Sequence, residues 1–493
     1  MKSILAQYTP SEIITFIREK NGIFWERERK ERALALFHKV AKEVPAYKDF
    51  LKKNKIDPAT IRTFGDFQRV PPVSKKEYLR EYPFKKLHWQ GTMERPMVFT
   101  ATSGSTGEPF YFSRTQELDW QYSILAELFL QNSSYGAKGP TLVLVCFGMG
   151  VWIGGIITYK AFEMASQRGY SVSLLAPGLN KDEIFNALKK IAPHFNQTIL
   201  IGYPPFIKDI IDEAPSRGVN LEKLRMRLLF AAESFGEHFR DYLAKKAGVK
   251  DLCRDTLNIY GTADIGAMAF ETPTAIFIRR AAMKNKKLFK DLFGQTIKTP
   301  TLAQYNPLFI TFEALPDEEV LLTGNNAIPL VRYAVGDHGG VLSFNEVAAK
   351  LKKYGIDLPK DSYQLPFVYV YERSDFSTTL YGLQIYPEVI KEALLDEILT
   401  KHITGKFTMI TKFDRKHNQY LEINVELQKG LKESNTLRRL TTDKIFHDLR
   451  SKSSEFRELS NYLGKRAAPI IVFWPYEYSL YFKSGIKQKW SKK

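Results

Sequence analysis

The sequence predicts an α/β protein, with a large N-terminal α/β unit over residues 1–372 and a small C-terminal α+β unit over 373–493. Three observations carry this reading. From about Val98, apolar runs of strand length alternate with amphipathic stretches of helical period. That alternation marks parallel strands covered by helices on both faces. After Arg373 the texture changes to two runs of period two around a polar turn, the pattern of a hairpin. The composition is that of a globular chain: 493 residues, 44% hydrophobic and 26% charged. Disordered, collagen-like and coiled-coil classes are thereby excluded, and the length leaves room for roughly three structural units.

The elements follow in order. The first 90 residues are helical and basic. Thr9-Pro10-Ser11-Glu12 is a capping box with proline at the first helical position, launching a helix over Ile13–Lys20. Ser74-Lys75-Lys76-Glu77 repeats the capping pattern after Pro71-Pro72 and starts a second, short helix. Phe110-Tyr111-Phe112 reads as a strand. Buried strands are expected at Thr141–Phe147, Ser171–Leu175, Thr198–Ile201, Arg227–Ala231 and Thr256–Tyr260, with helices at Asp182–Ile191 and Phe206–Glu213. No charge falls between Gly139 and Tyr159, a stretch long enough to cross a bilayer. Pro140 and the glycines at 148, 150, 154 and 155 divide it into a strand and a helix, so no transmembrane segment is expected. In the C-terminal unit, Phe407–Phe413 and Tyr420–Leu427 form the hairpin around Asp414–Gln419. A basic helix near Leu437–Leu463 and a strand at Ile470–Trp474 follow. In parallel sheets ligands sit at the carboxyl ends of the strands, which directs attention to the loops there.

Charge and cysteine usage narrow the setting. Lys and Arg number 72 against 54 Asp and Glu, a net charge of +18 that implies an anionic partner. The last 121 residues carry the excess more densely, with 22 Lys and Arg against 14 Asp and Glu. Cys146 and Cys253 are too few for a disulfide framework and form no CxxC pair. Without a long apolar stretch in the opening residues, the expected compartment is the cytoplasm. No histidine pair stands at i, i+4 or at another metal-ligand spacing.

Four segments carry chemistry. Thr102-Ser103-Gly104-Ser105-Thr106-Gly107-Glu108-Pro109 puts small hydroxyl residues between glycines, so that backbone N–H and side-chain O–H groups can converge on phosphate oxygens. The lysine of the GxxxxGK[ST] loop is missing, so this is a different phosphate loop. Asn258-Ile259-Tyr260-Gly261-Thr262-Ala263-Asp264 ends a strand with an aromatic, a glycine and a carboxylate. Arg332-Tyr333-Ala334-Val335-Gly336-Asp337 sets Arg and Asp about a glycine turn. Glu372-Arg373-Ser374-Asp375 stands where the texture changes.

In this order and at this spacing the four segments resemble the signatures of the adenylate-forming (acyl-CoA synthetase) superfamily. The resemblance is to its phenylacetate–CoA ligase-like branch, which includes the capsule-associated ligase-like proteins. The loop is similar to T-S-G-[ST]-T-G-x-P, Tyr260–Asp264 to Y-G-x-[TS]-E, Arg332–Asp337 to R-Y-x-x-G-D and Arg373–Asp375 to G-R-x-D. Val44-Pro45-Ala46-Tyr47 and Tyr381–Ile390 are also typical of the branch, and the resemblance runs from about residue 30 to the end. It implies a large multi-sheet adenylation domain over 1–372 and a small domain over 373–493 that rotates about a hinge.

The implied reaction has two steps. A carboxylate attacks the α-phosphate of ATP to give acyl-AMP and pyrophosphate, and a thiol, usually that of coenzyme A, then displaces AMP. By the same resemblance, Thr102, Ser103, Gly104, Ser105, Thr106 and Gly107 hold the β- and γ-phosphates. Asp264 helps hold Mg²⁺, and Tyr260-Gly261-Thr262 lines the adenine or acyl pocket. Asp337 accepts from both ribose hydroxyls, Glu233-Ser234 flanks adenine, Arg373 contacts ribose or phosphate and Asp375 is the hinge. The adenylation lysine is expected in the tail, where Ile486 interrupts the usual S-G-K and Lys487 is preferred over Lys483 and Lys489. Glu108 replaces a common lysine, Asp264 a glutamate and Glu372 a glycine. Phe147–Gly155 and Tyr203-Pro204-Pro205 are expected to line the acyl pocket, which suits an aromatic or medium-length apolar carboxylate. An acyl carrier protein or an amine is the alternative acceptor, since carriers are acidic and this chain is basic. Transfer to an enzyme cysteine near the C-terminus is disfavoured, because no cysteine follows Cys253. A degenerate nucleotide fold that binds polyanions is the alternative of another class. It leaves the four segments unexplained, so no nucleic-acid partner is expected.

Overall fold

The computed structural model describes residues 4–101, 110–136, 139–294, 299–371, 378–478 and 481–482. Its centre is a 12-stranded mixed sheet. Five strands are mutually parallel, in the spatial order Val172–Leu175, Thr141–Cys146, Gln197–Gly202, Met226–Ala231 and Thr256–Thr262. All are within two residues of the expected bounds at each end. The three inner strands of this set are almost wholly buried, and burial on both faces is what their unbroken apolar runs require. Helices Ile153–Gln167, Lys181–Lys190 and Pro204–Glu213 provide the crossovers. The uncharged stretch 139–159 is therefore a core strand and the start of a helix, and among the described residues no helix is long and apolar enough to cross a membrane.

Beyond Thr256–Thr262 the sheet turns antiparallel. Gly266–Phe270, Thr301–Gln304, Phe367–Val370, Leu330–Leu342, Glu319–Gly324 and Ile310–Ala314 extend it in that order. Gly261 sits at a register shift beside this turn, where a Cβ would meet the Gly266 carbonyl oxygen at 2.6 Å, so only glycine lets the two strands approach. The two-residue strand Val73–Ser74 pairs in parallel with Tyr333–Ala334. The segment after it folds as a single five-residue turn of helix, Lys75–Leu79, capped by the Ser74 hydroxyl.

In the C-terminal part a three-stranded sheet joins Ile403–Phe413 and Gln419–Leu427 as the expected hairpin, with Ile470–Trp474 parallel to the second strand. The single basic helix expected near Leu437–Leu463 is instead two, Asn435–Lys452 and Ser454–Leu463. Ser453 interrupts it and caps the second helix by accepting from the Phe456 N–H. Leu380, Tyr381 and Ile385 share one buried cluster with Phe206 and Ile207 of the helix Pro204–Glu213 and with Phe230 of the strand Met226–Ala231. The expected boundary at 372/373 falls in 372–377, outside the described residues.

Candidate active site

Four carboxyl ends of the parallel strands open into one cavity of about 780 Å³. The strand ending at Cys146 leads to Phe147, Trp152, Ile153 and Gly154. The strand ending at Gly202 leads to Tyr203-Pro204-Pro205. Met226–Ala231 delivers Ala232–Gly236, and Thr256–Thr262 delivers Asn258–Asp264, all on the wall. The first two groups are largely apolar, and the Phe147 and Tyr203 rings meet edge to face with centroids 4.9 Å apart. The last two are polar. Asp337, from the long strand Leu330–Leu342, completes the polar side.

Two of the sequence segments are cross-linked at this point in a reciprocal way. The Tyr260 hydroxyl donates to Asp337 Oδ2 at 2.5 Å, and the Tyr333 hydroxyl donates to Asp264 Oδ2 at 2.5 Å. Each segment thus contributes one phenol and one carboxylate, four positions apart in both. Asp264 and Asp337 are each 6% exposed, at the wall rather than in solvent. Lys75 stands beside this pair, its Nζ 3.3 Å from Asp264 Oδ1, because the pairing of Val73–Ser74 with Tyr333–Ala334 carries it there. Arg332 has a different task. It is buried, donates to Glu313 Oε2 at 3.2 Å and to the Val70 carbonyl, and so fastens the long strand to the N-terminal layer.

Beneath the polar wall lies a cluster of buried charge. Arg240 and Arg279 both bind Glu237 and Glu271, with the two Arg–Glu271 contacts at 2.6 and 2.9 Å. Glu271 also accepts from the Asn258 N–H, and Arg279 donates to the Phe235 carbonyl. The cluster holds the loop 232–236 and the strand Thr256–Thr262 from below. The Asn258 side chain donates to the Glu233 carbonyl at 3.0 Å, while its buried Oδ1 has no partner among the described residues.

The far wall comes from the C-terminal part, through Thr378, Thr379, Gly382, Gln384, Thr411, His417, Gln419 and Glu455 among others. Glu233 reaches across: its carboxylate accepts from the Gly382 N–H and from Gln419 Nε2, the latter at 2.7 Å. Gly382 has φ +80°, and a Cβ there would run into the Tyr203 ring. Lys208 to Asn418 at 2.9 Å and Arg466 to Asp209 at 3.2 Å add to this seam. Burial pushes the Tyr203 phenol well above its ordinary value, with the Glu455 charge adding to the effect. Burial, reinforced by Glu458, pushes the Glu455 carboxyl up to about 7.

The structure brings Tyr260, Gly261, Thr262, Asp264, Asp337, Glu233 and Ser234 together on the wall of one cavity. Glu233 does more than flank the pocket, since its carboxylate joins the two parts of the chain. Thr102–Gly107, Arg373, Asp375 and Lys487, with Lys483 and Lys489, lie outside the described residues. Sequence reading missed Lys75, Tyr333 as a partner of Asp264, and Glu455. Among the described residues, the charged groups on the wall are Lys75, Glu233, Asp264, Asp337 and Glu455. No group of three or more metal-ligating side chains occurs among the described residues.

Comparison with models of known protein families gives no match. Among curated proteins, phenylacetate-coenzyme A ligase of Thermus thermophilus is 25% identical over 338 residues, 67% of this chain and 67% of that one. Among solved structures, 2-hydroxyisobutyryl-CoA ligase in complex with 2-HIB-AMP and CoA in the thioesterification state aligns with a TM-score of 0.62. It does so at 16% identity over 94% of this chain and 90% of that one. The same ligase in the postadenylation state with R3-HIB-AMP aligns with a TM-score of 0.52, at 15% identity over 95% and 89%. The chain has the fold of an adenylate-forming ligase and, in sequence and architecture together, is similar to the acyl-CoA synthetases that its four sequence segments resemble.

Proposed function

We propose that the protein is an acid–thiol ligase that activates a carboxylic acid with ATP and transfers the acyl group from acyl-AMP to coenzyme A. The observation that carries this is the reciprocal Tyr260–Asp337 and Tyr333–Asp264 pairing at the strand ends, beside an apolar arm of the same cavity. Asp337, a two-oxygen acceptor oriented by Tyr260, suits a vicinal pair of ribose hydroxyls. The loop 232–236 offers its backbone to adenine, and the unpartnered Asn258 Oδ1 is an acceptor for the adenine amino group. Lys75 and Asp264 stand where the phosphates would run. The apolar arm of Phe147, Trp152, Ile153 and Tyr203 would hold the body of the acid, an aromatic or medium-length apolar chain.

Asp264 fits Mg²⁺ as a single hard-oxygen ligand of the kind that completes its shell with phosphate oxygens and water. When bound, the ion neutralises phosphate charge. The remaining assignments extend this reading along the chain: Thr102–Gly107 on the departing pyrophosphate, Arg373 on ribose or phosphate, Lys487 bridging carboxylate and α-phosphate. Residues 1–372 would then form the adenylation domain and 373–493 a small domain turning about Asp375. Exchange of pyrophosphate into ATP, measured across a panel of carboxylates, tests the proposal. We expect exchange with at least one acid and its loss in Asp337→Ala. Failure of every acid would overturn the ligase reading, and undiminished exchange in Lys487→Ala would overturn the lysine assignment.

A further inference from the structure

One carboxylate in the cavity is not used by this scheme. Glu455 occupies the first turn of the helix Ser454–Leu463, behind the cap at Ser453, and reaches the cavity from the C-terminal side. The other carboxylates on the wall are engaged: Glu233 by Gly382 and Gln419, Asp264 by Tyr333 and Lys75, Asp337 by Tyr260. For Glu455 no hydrogen bond or ion pair occurs among the described residues. Its electrostatic neighbours are Glu458 one turn along its own helix and Tyr203 across the wall. Neither is a donor cation, and Lys75, the one lysine on the described wall, stands at the nucleotide end beside Asp264. Tyr386 and His417 are the remaining titratable groups that the C-terminal part adds to the described wall.

Position decides what such a group can recognise. Tyr203 belongs to the apolar arm, through its contact with Phe147 and through Pro204 and Pro205, which follow it on the wall. Glu455 therefore lies near Tyr203 of the arm that would hold the acid. A partly buried acid without a partner is costly when ionised and gains most from a ligand that supplies a donor. A site built to bond a substrate O–H or N–H discriminates strongly against the analogue that lacks it.

We propose that Glu455 is a specificity residue of the acyl pocket, accepting a hydrogen bond from a hydroxyl or ammonium group carried by the acid at the end remote from its reacting carboxylate. This inference rests on the ligase reading above and narrows its substrate class to an apolar acid with a distal donor. The raised ionisation range of Glu455 supports it, since a matching donor would draw the group back toward its charged form.

Pyrophosphate exchange tests the inference, because it reports acid activation alone and needs no acceptor. Two matched pairs serve as probes, 4-hydroxyphenylacetate against phenylacetate and 6-aminohexanoate against hexanoate. The full chain should prefer the donor-bearing member of at least one pair by about tenfold or more in kcat/KM, mostly through KM. Glu455→Leu should abolish that preference while sparing exchange with the unsubstituted acid. Glu455→Gln, which keeps the shape and one acceptor, should retain part of a hydroxyl preference and lose an ammonium preference. An unchanged ratio in Glu455→Leu overturns the inference and leaves the ligase reading intact. The same holds if only the later transfer to coenzyme A falls, which would make Glu455 an acceptor-side group. Absence of exchange with every acid overturns both.

Discussion

Two sets of buried charge stand back to back across the strand ends, and they are built differently. Below the wall, Arg240, Arg279, Glu237 and Glu271 are between 0 and 4% exposed, and both glutamates bind both arginines. On the wall, Asp337 is held by the Tyr260 hydroxyl, and Asp264 by the Tyr333 hydroxyl and the single Lys75 ammonium, and both line the cavity. Charge paired with charge is satisfied by the protein itself. Carboxylates oriented by a phenol, with at most one cation beside them, keep acceptor capacity for something else. The contrast separates scaffold from chemistry among groups that burial alone would not distinguish.

The largest test falls on the scaffold. Glu271→Ala leaves two buried guanidinium groups short of a partner and should cost about 3–5 kcal/mol in stability, read from urea unfolding. A folded, stable Glu271→Ala protein would erase the distinction. On the other side, Asp337→Ala should lower pyrophosphate exchange by about 10²-fold, the worth of two hydrogen bonds to a charged acceptor, while costing only about 1 kcal/mol in stability. If its stability falls as far as that of Glu271→Ala, the wall is scaffold too. A smaller effect belongs to the seam. Glu233→Gln presents one donor where two donors must be received, so the contacts to Gly382 and Gln419 should weaken by about 1–2 kcal/mol. Faster amide exchange at residues 378–386, with the core strand Gln197–Gly202 unchanged, is the expected readout. Equal protection would show that the Lys208–Asn418 and Arg466–Asp209 contacts and the apolar packing hold the two parts together without Glu233.

What could be read beforehand follows the same division between local and non-local. The parallel strands were legible to within two residues, because burial on both faces writes continuous apolar runs into the chain. Tyr260, Asp264 and Asp337 were legible through motif. Their cross-links were not, since Tyr260 and Asp337 are 77 positions apart and meet only through sheet order. Lys75 looked like a member of a helix cap. A two-residue parallel pairing with Tyr333–Ala334 makes it a site residue, and so short a strand has no periodicity to detect. The helix break at Ser453 was legible in principle, because Ser453-Ser454-Glu455 is a capping pattern, but the basic run across it looked continuous. The place of Glu455 depends on how the C-terminal part packs, and nothing local records that.

Glu455 also supplies the smallest test, and a sign that only an unpaired acid would give. Its carboxyl is raised to about 7 in the folded chain, against roughly 4.3 for an unfolded glutamate. Between those values the folded protein binds the additional proton, so the group is neutral in the native state and ionised in the unfolded one. Stability must therefore fall as pH rises through this window and level off above it. Glu455→Gln removes the titration. The variant should match the parent near pH 4.5 and exceed it near pH 8. Glu271→Ala, which breaks a fully paired cluster, should destabilise at both pH values. If Glu455→Gln instead destabilises at pH 8, the carboxylate has a partner in the folded chain and belongs with the scaffold.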